Sequence, residues 1–222
     1  MARHAVILGA GGIGSNIKRV WQDNFSGQVI TIDDDTIEAS NLNRSDFTLH
    51  SIGQHKADKC YRISTREEFF NKAGDFLREI FQSEGGGING MNENSVFTED
   101  AFDWLRNHEY VTVIDCRDTI DPTTIFREID FKLTYNGAFG IRFELNPFHS
   151  NDSVFGAELE AVRYGTTPSF CLPPQWLAWM VVKFYKEHRD MVKDKNAHKI
   201  IAYNLENEIL SHLKTDLPEV AV

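Results

Sequence analysis

The stretch Ala5-Val6-Ile7-Leu8-Gly9-Ala10-Gly11-Gly12-Ile13-Gly14 decides the fold. An apolar run of strand length stops at Gly9, and the glycines of Gly9-x-Gly11-x-x-Gly14 give a tight turn. The following Ser15-Asn16-Ile17-Lys18-Arg19-Val20-Trp21 places Ile17, Val20 and Trp21 on one helical face. A second apolar run, Val29-Ile30-Thr31-Ile32, ends in Asp33-Asp34-Asp35. Strand, glycine turn, helix, strand and acid make a βαβ unit, because consecutive parallel strands need a crossover. Glycines at such a turn let the backbone approach a phosphate at the helix N-terminus, where free N–H groups and the dipole favour anions. Asp33 stands nineteen positions after Gly14, where an acid binds ribose hydroxyls. The alternative is a glycine turn that only packs helix on sheet. On these residues alone NAD, FAD and ATP all remain open.

Outward from that unit, residues 36–53 read as an ordered loop and Ala57–Phe81 as a long helix with apolar residues three and four apart. Residues 83–92, with four glycines and two asparagines, read as a surface loop. A helix over Glu99–Asn107 leads into the strand Val111–Asp115. Beyond Asp118, Lys132–Asn136 and Gly140–Leu145 read as strands around a Gly137/Gly140 turn, and Val154–Tyr164 as a further pair. Two helices, Pro174–Lys193 and Ala197–Leu213, are expected to close the chain. The fold class expected is therefore α/β, a Rossmann-like doubly wound sheet: a parallel N-terminal half with an antiparallel extension, and helices on both faces. The 222 residues suit one domain, with 1–130 as its nucleotide-binding half and 131–222 as strand extension, crossover loop (near Phe148–Asp152) and closing helices.

Composition removes several classes of function. A net charge of −10 disfavours a nucleic-acid coater, which needs a basic face to displace counterions from phosphates. Three cysteines, Cys60, Cys116 and Cys171, form no C-x-x-C, so neither zinc nor a disulfide framework is expected. The longest wholly apolar run, Trp176–Val182, is far short of the roughly 20 residues that span a bilayer. The N-terminus carries no signal-peptide core, and the expected address is cytoplasmic and reducing.

The segment Ile32-Asp33-Asp34-Asp35-Thr36-Ile37-Glu38-Ala39-Ser40-Asn41-Leu42-Asn43-Arg44 is followed by Ile52-Gly53-Gln54-His55-Lys56-Ala57 and by Asp115-Cys116-Arg117-Asp118. With the glycine turn these resemble the ThiF/MoeB/E1 superfamily, enzymes that adenylate the C-termini of ubiquitin-like proteins. The family pattern runs G-x-G-G-x-G, D-x-D, S-N-L-x-R-Q, G-x-x-K and D-C-x-D, and all five elements occur in order across residues 6–118. The resemblance implies ATP and Mg²⁺ as cofactors, a polypeptide substrate supplied in trans, and a homodimer. It implies that Gly9, Gly11, Gly12 and Gly14 shape the phosphate turn and that Asp33 holds ribose. Asn41 positions the phosphate tail, Arg44 contacts the triphosphate, Lys56 reaches the phosphates from the start of a helix, and Asp118 holds the metal. Asp35 and Asn43 could shape the same pocket, and Asp115 reads as a structural acid. Such cations fit the chemistry, since joining a carboxylate to ATP brings two anions together.

The chain departs from the pattern at three places. Ser45 replaces the family glutamine, the N-terminal arginine arm of many relatives has no counterpart before the first strand, and zinc-binding cysteine pairs are missing. Arg3 is expected at the far end of its strand; Arg19 and Arg117 are candidate replacement cations. In the second half, Cys171 precedes Pro173-Pro174 and resembles the position where some relatives carry a thioester-forming cysteine. Cys60, placed in a helix, and Cys116 read as packing residues, and His55 as a neighbour of the site. Trp176, Trp179, Met180 and Phe184 share a helical face suited to core or subunit interface. The rival readings are a degenerate nucleotide-binding partner subunit and an NAD(P)-dependent oxidoreductase, for which no Tyr-x-x-x-Lys pair is found. A tRNA-modifying dehydration fits a short acidic chain less well.

Overall fold

A computed structural model describes residues 3–86, 97–118, 124–135, 140–149, 172–194 and 196–204. Six strands, β1 (His4–Leu8), β2 (Val29–Ile32), β3 (Val111–Asp115), β4 (Phe131–Tyr135), β5 (Gly140–Leu145) and β6 (Lys199–Asn204), form one sheet in the order β2-β1-β3-β4-β5-β6. The first four strands of that order run parallel, and β5 and β6 are antiparallel additions. This is an α/β, Rossmann-like sheet. Every residue of β1 is buried, as expected of a parallel strand covered on both faces.

The helices sort onto the two faces. On one, α1 (Gly12–Asn24) and α4 (Leu172–Glu187) pack Ile17, Trp21, Leu177 and Val181 against Ala5, Ile7 and Leu133. On the other, α2 (Arg66–Ser83) and α3 (Glu99–Asn107) pack Phe69, Leu77 and Phe102 against Val6, Leu8 and Val113. After β2 the chain recrosses β1 to reach β3. The crevice at the carboxyl ends of β1 and β3 is thus the topological switch point, where open α/β sheets bind ligands.

Three elements differ from expectation. The helix foreseen from Ala57 begins at Arg66, because residues 58–59 are used beside β2. The Lys59 amide donates to Thr31 O (3.0 Å), and Asp58 accepts from the Thr31 amide and hydroxyl and from Lys18. Burial raises the Asp58 carboxyl, but the Lys18 ammonium and the Thr31 donors more than offset this and hold it below the usual range. Thr65 then caps α2 reciprocally with Glu68.

The helix foreseen over Ala197–Leu213 is instead the strand β6 as far as Asn204, paired along the whole of β5. Adjacent Ile200 and Ile201 suit a strand, and pairing removes an otherwise open sheet edge. The helix expected over Pro174–Lys193 is interrupted at His188, beyond which α5 (Arg189–Lys193) forms a separate short turn. Its outer face is split: Phe184 is buried, whereas Trp176 and Trp179 are exposed. The proposed strands over Val154–Tyr164 and most of the glycine loop lie outside the described residues. No helix among the described residues is long and apolar enough to cross a membrane.

Candidate active site

A cavity of about 410 Å³ opens at the switch point. Its lining includes Gly9, Gly11, Gly12, Asp33, Asp35, Asn41, Arg44, Lys56 and Asp118. The sequence-predicted residues from four separate segments therefore meet in one place.

The glycine turn is fixed by close approach. Gly9 has φ +85°, and a Cβ on it would lie 2.9 Å from the Arg117 amide nitrogen after β3. Gly14 does not line the cavity; a Cβ there would lie 1.9 Å from Gly9 O, so it serves the packing of α1 on the turn. Gly11 caps α1 with no side-chain bond, and the first turn carries no acid. The helix therefore presents uncancelled positive dipole to the cavity. Ser15 donates to Gly11 O, and Asn16 donates to both Gly12 O (2.7 Å) and Arg44 O (3.0 Å), which locks the arginine-bearing loop onto α1.

Asp33 leaves the end of β2 and accepts from the Ala10 amide (2.6 Å) and the Asp35 amide (2.9 Å). Its carboxylate is thereby pinned to the glycine turn. Residues 36–54 form an excursion closed by the Thr36–His55 bridge and by Ile37–Gln54 and Gly53–Ile37 backbone bonds. Within it Asn41 receives the Glu38 amide on Oδ1, and Arg44 donates to Ser40 O and Asn43 Oδ1. Lys56 stands on the return of this excursion, just after the Thr36–His55 bridge and not at a helix start, and its Nζ pairs with Asp35 at 2.7 Å. Asn43 and His55 are not in the lining, and Ser45 turns its hydroxyl to Asn41 O (2.7 Å).

The Asp115-Cys116-Arg117-Asp118 segment divides by depth. Asp115 is wholly buried, with Arg117 Nη2 at 2.7 Å and Lys132 Nζ at 3.3 Å. Burial raises its carboxyl, but the Lys132 and Arg117 cations hold it below the ordinary range. Asp118 is exposed at the cavity. Burial, with Asp115 beside it, pushes the Cys116 thiol up, which disfavours the thiolate at this wall of the cavity.

Of the candidate replacement cations, Arg19 faces away and pairs with Asp46, while Arg117 is held by Asp115, Ile63 O and Thr124 O. Arg3 lies at the other end of β1, as expected. Cys60 is not a packing residue: it is exposed, with Sγ 3.2 Å from His55 Nδ1. Cys171 lies outside the described residues.

Sequence reasoning missed part of the wall. Tyr61, Arg62, Ile63 and Ser64 line the cavity from the segment between Lys59 and α2, and Thr134 and Tyr135 from the end of β4. The available signal was Thr65-Arg66-Glu67-Glu68, a capping box that starts the helix after these residues.

No curated protein sequence is a significant match. Among solved structures, E. coli MccB with ATP aligns at 17% identity over 91% of this chain and 63% of that one, with a TM-score of 0.42. MccB, the Microcin C7 biosynthetic enzyme, in complex with N-formylated MccA aligns at 18% identity over 91% and 64%, TM-score 0.45. E. coli tRNA N6-threonylcarbamoyladenosine dehydratase, TcdA, in complex with AMP aligns at 14% identity over 82% and 83%, TM-score 0.42. The chain thus spans less than two thirds of the MccB length. Residues 2–129, more than half of the chain, match the ThiF family, and the protein belongs to that family.

Proposed function

We propose that the protein uses ATP to adenylate the C-terminal carboxylate of a polypeptide, a ubiquitin-like protein, sulfur carrier or peptide bound in trans. The observation that carries this reading is the meeting of Gly11–Gly12, Asp33, Asn41, Arg44, Lys56 and Asp118 around one cavity in a ThiF-family chain. In the reaction a carboxylate oxygen attacks the α-phosphorus, the bond to the bridging oxygen breaks, and pyrophosphate leaves. The α1 N-terminus, Arg44 and Lys56 offset the repulsion between the two anions and the charge that builds on the phosphoryl oxygens. Asp33 holds the ribose, and Asn41 orients the phosphate tail.

The donor set suits Mg²⁺, a hard cation that takes carboxylate oxygens, phosphates and water. Asp118 offers an exposed carboxylate at the cavity, and the Asp33, Asp34 and Asp35 carboxylates, which also line it, lie within 4.8 Å of one another. Asp118 would hold the ion, which when bound neutralises phosphate charge. Cys171 is the proposed acceptor if the acyl group passes on to a thioester.

ATP–pyrophosphate exchange, stimulated by candidate small proteins or peptides, tests the reading with wild type and Asp118→Ala side by side. Exchange in the wild type, lost in the variant, is expected. Exchange that survives Asp118→Ala sinks the metal assignment. ATP binding with no exchange for any candidate favours a nucleotide-binding partner subunit, the reading to which Ser45 lends weight. A thiol-cleavable acyl adduct that disappears in Cys171→Ala is required for the thioester step.

A further inference from the structure

The cavity is built from both faces of the sheet. The first turn of α1 belongs to the face packed by α1 and α4. Residues 61–64 belong to the opposite face, because Ile63 is buried among Phe69, Phe126 and Leu8 and its carbonyl accepts from Arg117. Asp33 stands between them, bonded to Ala10 at the end of β2. Tyr61, Arg62, Ile63 and Ser64 thus form a wall of the same cavity that the first turn of α1 and Asp33 line.

That wall has the chemistry of a base platform. Tyr61 offers an aromatic ring, with the Lys72 ammonium 4.4 Å from its centroid. The other cations of the lining are engaged: Lys56 by Asp35, Arg117 by Asp115, and Arg44 by Ser40 O and Asn43. Arg62 is exposed and has no ion pair or hydrogen bond to the described residues. A planar guanidinium stacks on flat π systems, and stacking is how proteins grip a base without many hydrogen bonds.

Building on the ATP-dependent reading, we propose that Tyr61 and Arg62 form the nucleobase subsite, with the Arg62 guanidinium laid flat on the purine. Equilibrium binding of adenosine, AMP, ATP and inorganic tripolyphosphate to wild type, Arg62→Ala, Arg62→Lys and Tyr61→Leu tests this. The expected result is a loss of about tenfold in Arg62→Ala, equal for adenosine, AMP and ATP and absent for tripolyphosphate. Arg62→Lys should fail like alanine, since lysine keeps the charge and lacks the plane. Tyr61→Leu should weaken the same three ligands. A loss that grows with phosphate number, or recovery in Arg62→Lys, overturns the proposal in favour of a phosphate contact. Wild-type binding unchanged by Arg62→Ala overturns the subsite alone. A wild type that binds neither adenosine, AMP nor ATP overturns the subsite and the ATP-dependent reading together.

Discussion

The two ends of β1 carry the same residue types to opposite purposes. At the N-terminal end Arg3 is 5% exposed, pairs with Glu109, lies 5.7 Å from the Tyr185 ring centroid, and accepts the Trp21 indole N–H on its carbonyl. Burial pulls the Arg3 guanidinium down and the Tyr185 hydroxyl up. Charge there is consumed inside the fold. At the C-terminal end Asp35 is 67% exposed although it pairs with Lys56, Asp118 is exposed, and the helix dipole faces a cavity. Charge is left facing solvent where a ligand can take it. Since a charge without full compensation inside the fold is tolerated chiefly in water, the exposed end is where the candidate site lies and the sealed end is frame.

The frame of the open end should break most severely. Gly14→Val sets carbon against Gly9 O where even a Cβ would lie 1.9 Å away, and backbone cannot swing aside as a side chain can. A loss of about 4 kcal/mol or more in denaturant unfolding is expected. A variant within about 1 kcal/mol of wild type would show that α1 slides freely on the turn.

Asp115→Asn sharpens the contrast, because this acid lies under the open end yet is sealed like Arg3. It leaves Lys132, 1% exposed, without its carboxylate, at a cost of about 3 kcal/mol. The folded carboxyl is held below its unfolded value. Its contribution is therefore present above the ordinary carboxylate range and lost as pH falls through the folded pKa. The wild type should lose stability toward acid more steeply than Asp115→Asn, as read from unfolding midpoints over that range. Asp118→Asn, three residues on, should change stability by about 0.5 kcal/mol or less.

Most of the open end was legible because its residues are constrained by local spacing. The glycine turn, Asp33 after one strand, and Asp118 just past another are each set by the end of an apolar run. Lys56 was legible as a residue of the cavity and misplaced in structure, since its position depends on the Thr36–His55 bridge, a tertiary pairing. The 61–64 wall was hidden for a similar reason. Asp58 and Lys59 bond to Thr31, so helix-spaced apolar residues before Thr65 stay extended. β6 was misread because Ile200–Ile201 become a strand only with the β5 edge beside them.

Lys56→Met tests whether the open end is spared for a ligand. Its partner Asp35 is largely exposed, so stability should shift by about 0.5 kcal/mol or less. Pyrophosphate exchange should fall about thirtyfold, close to 2 kcal/mol of transition-state stabilisation. Unchanged exchange would return Lys56 to the class of structural cations typified by Arg3.

The smallest effect sharpens the comparison at the cavity wall. Thr65 accepts the Glu68 amide, while Glu68 Oε2 accepts the Ser64 amide at 2.6 Å and the Thr65 amide at 3.1 Å. The capping box therefore holds both the start of α2 and the last residue of the 61–64 wall. Thr65→Ala should cost about 1 kcal/mol of stability, the ordinary value of an N-cap. If the wall is a ligand surface held in place by this cap, the variant should also weaken adenosine binding severalfold. Hydrogen exchange at the amides of residues 61–64 should rise with it. A Thr65→Ala protein that loses stability but binds adenosine as before would separate cap from wall, leaving Ile63 burial and the Arg117 bond to Ile63 O as what sets the wall.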